Sequence, residues 1–330
     1  MNSFRALRIH RESDRIVSRL ESITLADLNP GEVVVKVAYS GINYKDVLAA
    51  TGAGKILRRF PLVGGIDLAG EVVSSEAPAF KPGEQVLITG CGLAETFDGG
   101  FAEYARVQAA SVISVPAGLS AFESMALGTA GFTAGLALHR MEQNGQSPEQ
   151  GEVLVTGATG GVGSFAIDML NRRGYQAVAL TGKQDQADYL TQIGAARILL
   201  RREMTLTKRP LEAAQWAGAL DNLGGEVLDW VLRSTKEFGN VACIGMAQSA
   251  DLHTSVFPLI LRGVSALGIN SVVVPASLRR LIWQRLATDL KPQHLDRIVT
   301  RVVELGELPN VFADYLKAAN VGRTVVRVEH

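Results

Sequence analysis

The stretch that most constrains this chain is the glycine-rich segment Val155 to Gly163, which reads VTGATGGVG. It follows the apolar run GEVLV, which predicts a strand, and precedes SFAIDMLNRRG, whose apolar residues recur at helical spacing. A strand, a glycine-rich turn and a helix form the context that binds a dinucleotide pyrophosphate. Gly157 and Gly160 would let the backbone approach the phosphates, and Gly163 would let the helix pack on the strand. We therefore favour a nucleotide site over a purely structural turn, although the spacing is a variant of GxGxxG.

Length and composition predict a soluble protein of about two domains. The chain has 330 residues, and the 47% that are apolar can supply a core for each domain. Its 33 basic and 33 acidic residues balance, so neither nucleic acid nor an anionic membrane is an expected partner. Two cysteines, Cys91 and Cys243, are too few for a disulfide framework. With no secretory signal and no apolar run of membrane-spanning length, we expect a cytoplasmic protein.

Periodicity divides the chain into two regions. Residues 1–126 contain short apolar runs separated by turns rich in glycine and proline, which predicts a barrel-like sheet. A small-residue helix follows, and then strands alternate with helices, which predicts a doubly wound parallel sheet. Residues 277–290 predict an amphipathic helix, and the terminal GRTVVRV predicts a strand that returns to the first sheet. We therefore assign residues 1–126 and 276–330 to one domain and residues 127–275 to the nucleotide-binding domain.

The end of the second strand of the parallel sheet indicates which nicotinamide cofactor is bound. NAD-specific folds place an acidic residue there, where it binds the ribose hydroxyls. Here the strand YQAVAL is followed by Thr181-Gly182-Lys183, and Asp185 falls in the first turn of the next helix. A hydroxyl beside an ammonium suits a 2′-phosphate, and Arg201 would add a second cation. The alternative is that Lys183 is a solvated surface lysine. Because the acidic residue typical of NAD-specific folds is also absent, we predict NADPH.

Motifs spread over nearly the whole chain resemble one family. They are GINYKD (41–46), GIDLAGEV (65–72), GGFAEY (99–104), GTAGFTA (128–134), VTGATGGVG and GRTVV (322–326). Together they resemble the medium-chain dehydrogenase/reductase superfamily, and within it the zinc-free quinone-oxidoreductase-like branch. The acryloyl-CoA reductase group is the most similar. The resemblance implies an α/β fold, with a Rossmann doubly wound parallel sheet and a GroES-like, partly open β-barrel catalytic domain.

Differences from the zinc-dependent branch of that family indicate a metal-free site. Where zinc enzymes carry a cysteine this chain has Asn43, and where they carry a His-Glu pair it has Ile66-Asp67. Asparagine and isoleucine cannot replace thiolate and imidazole as zinc ligands. Alcohol oxidation in that branch relies on the metal as a Lewis acid. This chain therefore suits hydride addition to an activated acceptor, either a double bond conjugated to a carbonyl or a quinone.

The resemblance also implies site residues. Tyr44 is expected beside the nicotinamide, with its hydroxyl donating to substrate or orienting a water, and Asn43 is expected to hold the ribose or amide; these are the predicted catalytic residues. Besides Tyr44, the predicted cofactor contacts are Thr159, Gly160, Gly161, Val162, Thr181, Gly182, Lys183, Arg201, Met246, Ala247, Ser271 and Arg323. A core-edge tyrosine satisfied locally is the alternative for Tyr44. Asp46 is expected to cap or pair locally, with Lys45 as its partner, and Asp67 to be a core carboxylate.

The predicted activity is NADPH-dependent reduction of the carbon–carbon double bond of a short α,β-unsaturated acyl-CoA, acryloyl-CoA above all. Because coenzyme A carries phosphates, Lys55, Arg58 and Arg59 are candidates to meet it, with a solvated surface as the alternative. An NADPH:quinone or enone oxidoreductase and a non-catalytic NADPH-binding module are the other hypotheses. The apolar segment FPLILRGVSALGINSVVVP predicts an edge strand covered by a second subunit, hence a homodimer.

Overall fold

The structure is a computed structural model that describes residues 3–207 and 209–329. Its strands are β1 (Phe4–Glu12), β2 (Arg15–Ile23), β3 (Val33–Gly41), β4 (Leu62–Val63), β5 (Asp67–Ser75), β6 (Gln85–Thr89), β7 (Tyr104–Val107), β8 (Ile113–Ser114), β9 (Val153–Thr156), β10 (Ala177–Thr181), β11 (Arg197–Leu200), β12 (Trp216–Asp221), β13 (Thr235–Cys243), β14 (Ser265–Gly268), β15 (Val299–Glu304) and β16 (Arg323–Arg327). Its α-helices are α1 (Tyr44–Thr51), α2 (Ala121–Gln143), α3 (Gly161–Arg172), α4 (Ala187–Gln192), α5 (Gly225–Ser234), α6 (Phe257–Leu261), α7 (Ala276–Leu286), α8 (Leu295–Ile298) and α9 (Leu308–Leu316). Within these described ranges, no helix is long and apolar enough to cross a lipid bilayer.

The described chain divides into two compact units. The first contains the residues up to 129 together with 272–280 and those from 299 onward, and the second contains 130–271 and 281–298. In the first unit one sheet has the order β2-β1-β4, and another has the order β15-β16-β3-β5-β6-β8, with β7 also pairing with β3. This is the expected GroES-like sheet domain. Strand β16 runs antiparallel to β3, so the prediction that GRTVVRV returns to the N-terminal sheet is confirmed.

The second unit carries one parallel sheet with the order β11-β10-β9-β12-β13-β14 in its described part. Strands β9, β10 and β12 are buried at every position, as expected when helices cover both faces of a parallel sheet. Helix α3 buries Phe165, Ile167 and Leu170, the apolar residues whose spacing predicted a helix. The predicted doubly wound Rossmann sheet is therefore confirmed.

The alternation of strands and helices fails between β11 and β12. The described residues there form a 3-10 turn at Arg201–Glu203 followed by irregular chain, so the helix predicted at this point is wrong. Arg233, which is buried, donates hydrogen bonds to the carbonyl oxygens of Thr207 and Arg209 at 3.0 and 2.7 Å. Because an arginine side chain satisfies these backbone acceptors, the segment does not need helical hydrogen bonds.

The division into units differs from the predicted domain boundaries mainly at residues 281–298, which pack with the nucleotide-binding unit. Helix α7 contributes Trp283, which is fully buried and stacks on Phe132 with ring centroids 6.0 Å apart. Arg285 of the same helix donates to the carboxylate of Glu142 at 2.8 Å. Amphipathic spacing identifies the face that a helix buries, but it does not identify the partner.

Candidate functional site

The predicted pyrophosphate turn connects β9 to α3. Gly157 has a φ of 59°, in the left-handed region that favours glycine. A Cβ atom added at Gly163 would lie 2.5 Å from the carbonyl oxygen of Gly157, so only glycine fits there. Helix α3 begins at Gly161, and among the residues that the structure describes no side chain caps this end. The amides of its first turn are therefore available to an anion, which is what a dinucleotide pyrophosphate requires.

Two of the predicted 2′-phosphate contacts come from neighbouring strands. Strand β10 pairs in parallel with β11, and Thr181 lies opposite Leu200 in the register. Lys183 and Arg201, which follow these positions, therefore share the carboxyl edge of the sheet. The amide of Lys183 donates to the hydroxyl oxygen of Thr181 at 3.0 Å, and partial burial lowers the pKa of the Lys183 ammonium. Asp185 lies in the following 3-10 turn, as expected, and not at the tip of the strand.

The remaining predicted contacts of this unit extend along the same edge. Ala247, after β13, donates its amide to the carbonyl oxygen of Asn222 at 3.2 Å, and the neighbouring Met246 is 71% exposed. Ser271 follows β14 at the end of the sheet. In the order of the strands, the edge carries Arg201, then Thr181, Gly182 and Lys183, then Thr159, Gly160, Gly161 and Val162, then Met246 and Ala247, then Ser271. A dinucleotide binds along this edge in folds of this type.

Asp221 lies at the middle of this edge, and it is not among the residues predicted from the sequence. It is fully buried at the end of β12, and it accepts hydrogen bonds from the hydroxyl of Thr156 and the amide of Gly224, each at 2.7 Å. Burial raises the pKa of the Asp221 carboxyl. The hydroxyl oxygen of Thr156 in turn accepts from the amide of Asn222 at 2.9 Å. The sequence signal for this residue is an aspartate at the end of the apolar strand WAGALD.

Tyr44 begins helix α1 in the first unit. The helix is capped by Asn43 and Asp46, which form a reciprocal capping box. Tyr44 is 51% exposed, and its hydroxyl makes no hydrogen bond within residues 3–207 and 209–329. This geometry disfavours a core-edge tyrosine satisfied locally and leaves the hydroxyl available to a substrate or a water.

The side chains of Asn43 and Arg323, two of the predicted site residues, are engaged in hydrogen bonds within the chain. The side-chain nitrogen of Asn43 donates to Asp67 at 2.8 Å and to Asp46 at 3.3 Å, and its side-chain oxygen accepts from Arg323 at 3.1 Å. Arg323 is 2% exposed and also donates to the carbonyl oxygen of Ile42 at 2.8 Å. Because their polar atoms are engaged within the chain, these side chains hold the start of α1 in place.

Asp67 is the centre of this network. It is fully buried, and it accepts hydrogen bonds from the amide and the hydroxyl of Thr129 at 2.8 and 2.5 Å, with Arg323 at 3.9 Å. Gly128 interrupts α2 with a φ of 49°, and a Cβ atom there would lie 2.5 Å from a carboxylate oxygen of Asp67. Burial raises the pKa of Asp67, and Arg323 opposes that shift. The interpretation of Asp67 as a core carboxylate agrees with this geometry.

Asp46 is the second buried carboxylate of the network. It accepts from the amides of Asn43 and Ile66, each at 2.8 Å, so the expected local capping is confirmed. Burial and the nearby Asp67 raise its pKa to about 7. Lys45 forms its ion pair with Glu95, so the expectation that Asp46 would be its partner is wrong.

Two family models match the chain. "Alcohol dehydrogenase GroES-like domain" matches residues 29–117, and "Zinc-binding dehydrogenase" matches residues 161–287. "Putative quinone oxidoreductase YhfP" of Bacillus subtilis is 46% identical, covering 98% of this chain and 99% of that protein. The chain belongs to the medium-chain dehydrogenase/reductase family. A second member, "Acrylyl-CoA reductase AcuI" of Ruegeria pomeroyi, is 44% identical and covers 96% of each chain.

Solved structures of family members share the fold. The yhdH oxidoreductase from Salmonella enterica, in complex with NADP, is 42% identical with a TM-score of 0.95, covering 98% of this chain and 100% of that chain. The Bacillus subtilis protein yhfP, with NAD bound, has a TM-score of 0.97 at 46% identity and covers 99% and 100%. The predicted family and fold are confirmed, and the chain lies near the acrylyl-CoA reductase group.

The family includes zinc enzymes. At the positions of their zinc ligands this chain has Asn43, Ile66 and Asp67. Asn43 and Asp67 bind each other and Arg323, and Ile66 offers no side-chain ligand. Within the described ranges, no group of three His, Cys, Asp or Glu side chains is placed to hold a metal ion. The polar groups at these positions therefore serve the hydrogen-bond network around Asp67.

We expect the stability of the protein, relative to Asp46→Asn, to fall as the pH rises from about 4 to about 7 and then to level off. The folded protein keeps a proton on Asp46 up to a pKa of about 7. The unfolded chain releases it near pH ~3.9, and stability falls with pH wherever the native state holds more protons. Thermal midpoints of both proteins from about pH 5 to about pH 8 measure this. The exposed Asp14→Asn serves as the control, and a pH-independent difference for Asp46→Asn would contradict the assignment.

Proposed function

We propose that this protein is an NADPH-dependent reductase of short α,β-unsaturated acyl-CoA thioesters, with the conversion of acryloyl-CoA to propionyl-CoA as the first candidate. The observation that carries the proposal is Tyr44, whose hydroxyl is exposed and free of partners in the described chain, on a helix fixed by a buried network. Such a site offers a hydrogen-bond donor to an acceptor that is already activated by a carbonyl. The similarity to the acrylyl-CoA reductase of Ruegeria pomeroyi supports the choice of thioester.

The cofactor fits the carboxyl edge of the parallel sheet. The amides of Gly161 and Val162 would hold the pyrophosphate, and Lys183 with Arg201 would hold the 2′-phosphate. Gly160, whose own amide donates to the carbonyl oxygen of Gly157 at 3.0 Å, would let the backbone approach the phosphates. When bound, NADPH supplies a hydride to the β-carbon of the substrate. The Salmonella structure contains NADP, which supports the choice of NADPH. Because the Bacillus structure contains NAD, the choice rests mainly on the positive charges of Lys183 and Arg201. Thr159, Thr181, Gly182, Met246, Ala247 and Ser271 complete the proposed cofactor contacts.

The residues of the chain stabilise the charge that develops during the reduction. As the double bond is reduced, negative charge grows on the thioester oxygen, where a positioned donor lowers the barrier. The Tyr44 hydroxyl donates a hydrogen bond to that oxygen, or orients a water that does so. A proton then adds to the α-carbon, so the overall reaction consumes one hydride and one proton for each acryloyl-CoA.

Oxidation of NADPH with acryloyl-CoA, crotonyl-CoA and a simple quinone tests the proposal. We expect the highest kcat/KM with acryloyl-CoA and NADPH, and lower values with NADH. Tyr44→Phe should lower kcat for the thioester about 100-fold, because it removes a donor to the developing charge. Tyr39→Phe is the matched control, since Tyr39 packs its ring on Phe122 in the same unit. Full activity of Tyr44→Phe would contradict the role of the hydroxyl.

A quinone or enone reductase is the second candidate. The Bacillus relative with 46% identity and a quinone-oxidoreductase name favours it. Quinone turnover with inert thioesters would establish it in place of the first proposal. Tight NADPH binding without oxidation by any acceptor would instead favour a non-catalytic binding module.

Lys183→Ala should raise the KM for NADPH about tenfold to hundredfold and leave the KM for NADH nearly unchanged. The variant removes one charge-assisted contact to the 2′-phosphate, and NADH lacks that group. Steady-state kinetics with both cofactors measure the difference. Lys236→Ala is the matched control, because Lys236 lies at the opposite, amino-terminal end of β13. An equal loss with both cofactors would rule out the 2′-phosphate contact.

We also propose that the protein is a homodimer built through its second unit. Strand β14 is at an end of the strand order, and α6 before it exposes apolar side chains, namely Phe257, Leu259, Ile260 and Leu261. An exposed apolar patch beside a sheet edge is usually buried by another protein surface, and a second copy of this chain would bury it here. Sedimentation at micromolar concentration should give a dimer, and Ile260→Asp should give a folded monomer. Leu316→Asp in the first unit is the control, and a monomeric wild-type protein would contradict the proposal.

A further inference from the structure

The first unit contains a cavity of about 450 Å³ that none of the predicted site residues lines. Its walls come from three parts of the chain: the loop after β6, the residues around β8, and the segment leading into α7. The lining residues that matter here are Glu95, Thr96, Val112, Ile113, Val274 and Arg280. The volume lies within the ~300–1,000 Å³ that is usual for small-molecule sites.

The cavity is lined by both apolar and polar side chains. Val112, Ile113 and Val274 form part of the wall, and Thr96 and Arg280 offer hydrogen-bond donors. A ligand that fits such a cavity has an extended, weakly polar arm and an anionic group. The pantetheine arm of coenzyme A, with its phosphates, has this chemistry.

The charges around the cavity favour an anion. Glu95 is the acidic residue of the lining, and it is paired with Lys45. Arg279 is buried and donates to the carbonyl oxygens of Thr89 and Val272 at 2.8 and 2.9 Å, which fixes the segment against β6. Arg280 is exposed and makes no ion pair or hydrogen bond within the described ranges. Its guanidinium is therefore available to a phosphate.

The cavity lies close to the helix that carries Tyr44. Lys45, the next residue in the first turn of α1, forms its ion pair with Glu95 in the cavity wall. The backbone of Glu95 also accepts a hydrogen bond from the amide of Arg58 at 2.7 Å. The cavity wall and the helix that carries Tyr44 are therefore joined by an ion pair within the first unit.

We infer that this cavity is the subsite for the coenzyme A part of the substrate. Arg280 contacts a phosphate, and the wall formed by Val112, Ile113 and Val274 packs on the pantetheine arm. The inference rests on the proposed reduction of acyl-CoA thioesters and names the residues that select them. The sequence also offers Lys55, Arg58 and Arg59 for coenzyme A, and of these Arg59 pairs with Asp98 at 3.5 Å.

Arg280→Gln tests the subsite by comparing two thioesters. We expect the KM for acryloyl-CoA to rise about tenfold or more, because one charged contact is lost. The KM for acryloyl-N-acetylcysteamine, which has no phosphates, and the KM for NADPH should stay unchanged. Arg327→Gln is the matched control, since Arg327 is exposed on β16 while the cavity lies at β8, at the other end of the strand order.

The outcomes separate this subsite from the proposed reaction. Calorimetry with coenzyme A alone should show weaker binding to Arg280→Gln than to the wild-type protein, whether or not any thioester is reduced. Reduction of acryloyl-CoA with an unchanged KM in Arg280→Gln would overturn the subsite and leave the reaction standing. A rise in KM in Arg58→Gln instead would also overturn it. Wild-type protein that neither binds coenzyme A nor reduces its thioesters would contradict both proposals.

Discussion

The buried carboxylate of Asp67 is the interaction on which the proposed active site depends. It joins Thr129, Asn43 and Arg323, which come from three distant parts of the chain. A buried charge is tolerated only when donors surround it, and removing one partner of such a group typically costs about 3–5 kcal/mol. Because Asn43 caps α1, the same network sets the position of Tyr44 at the next residue. The hydroxyl is thereby presented by a rigid element.

A second buried carboxylate has a comparable role in the other unit. Asp221 joins the end of β12 to the end of β9 through Thr156 and fixes the amide of Gly224. The loops that follow these strands form the centre of the proposed cofactor edge. In each unit, then, a buried carboxylate joins distant segments of the chain beside residues of the proposed site. Burial raises the pKa of both carboxyls, and the hydrogen bonds that they accept oppose that shift.

The sequence predicted those features that local patterns determine. The glycine turn, the parallel sheet and the returning strand β16 each follow from spacing within a few residues, and the structure contains all three. Side-chain partners could not be predicted in this way. Asn43 and Arg323 lie 280 positions apart, so their mutual hydrogen bond has no local signature. The same reason explains why Lys45 was assigned to Asp46, its neighbour in sequence, when it pairs with Glu95.

The fate of the transferred hydride tests the central claim most directly. NADPH carrying deuterium at both C4 positions would be incubated with the protein and acryloyl-CoA, and the thioester product analysed by mass spectrometry and NMR. The account predicts propionyl-CoA with a single deuterium on its β-carbon, because the double bond is reduced by hydride addition at that atom. Deuterium at the α-carbon, or acryloyl-CoA recovered without label while the same protein oxidises NADPH with a quinone, would contradict it.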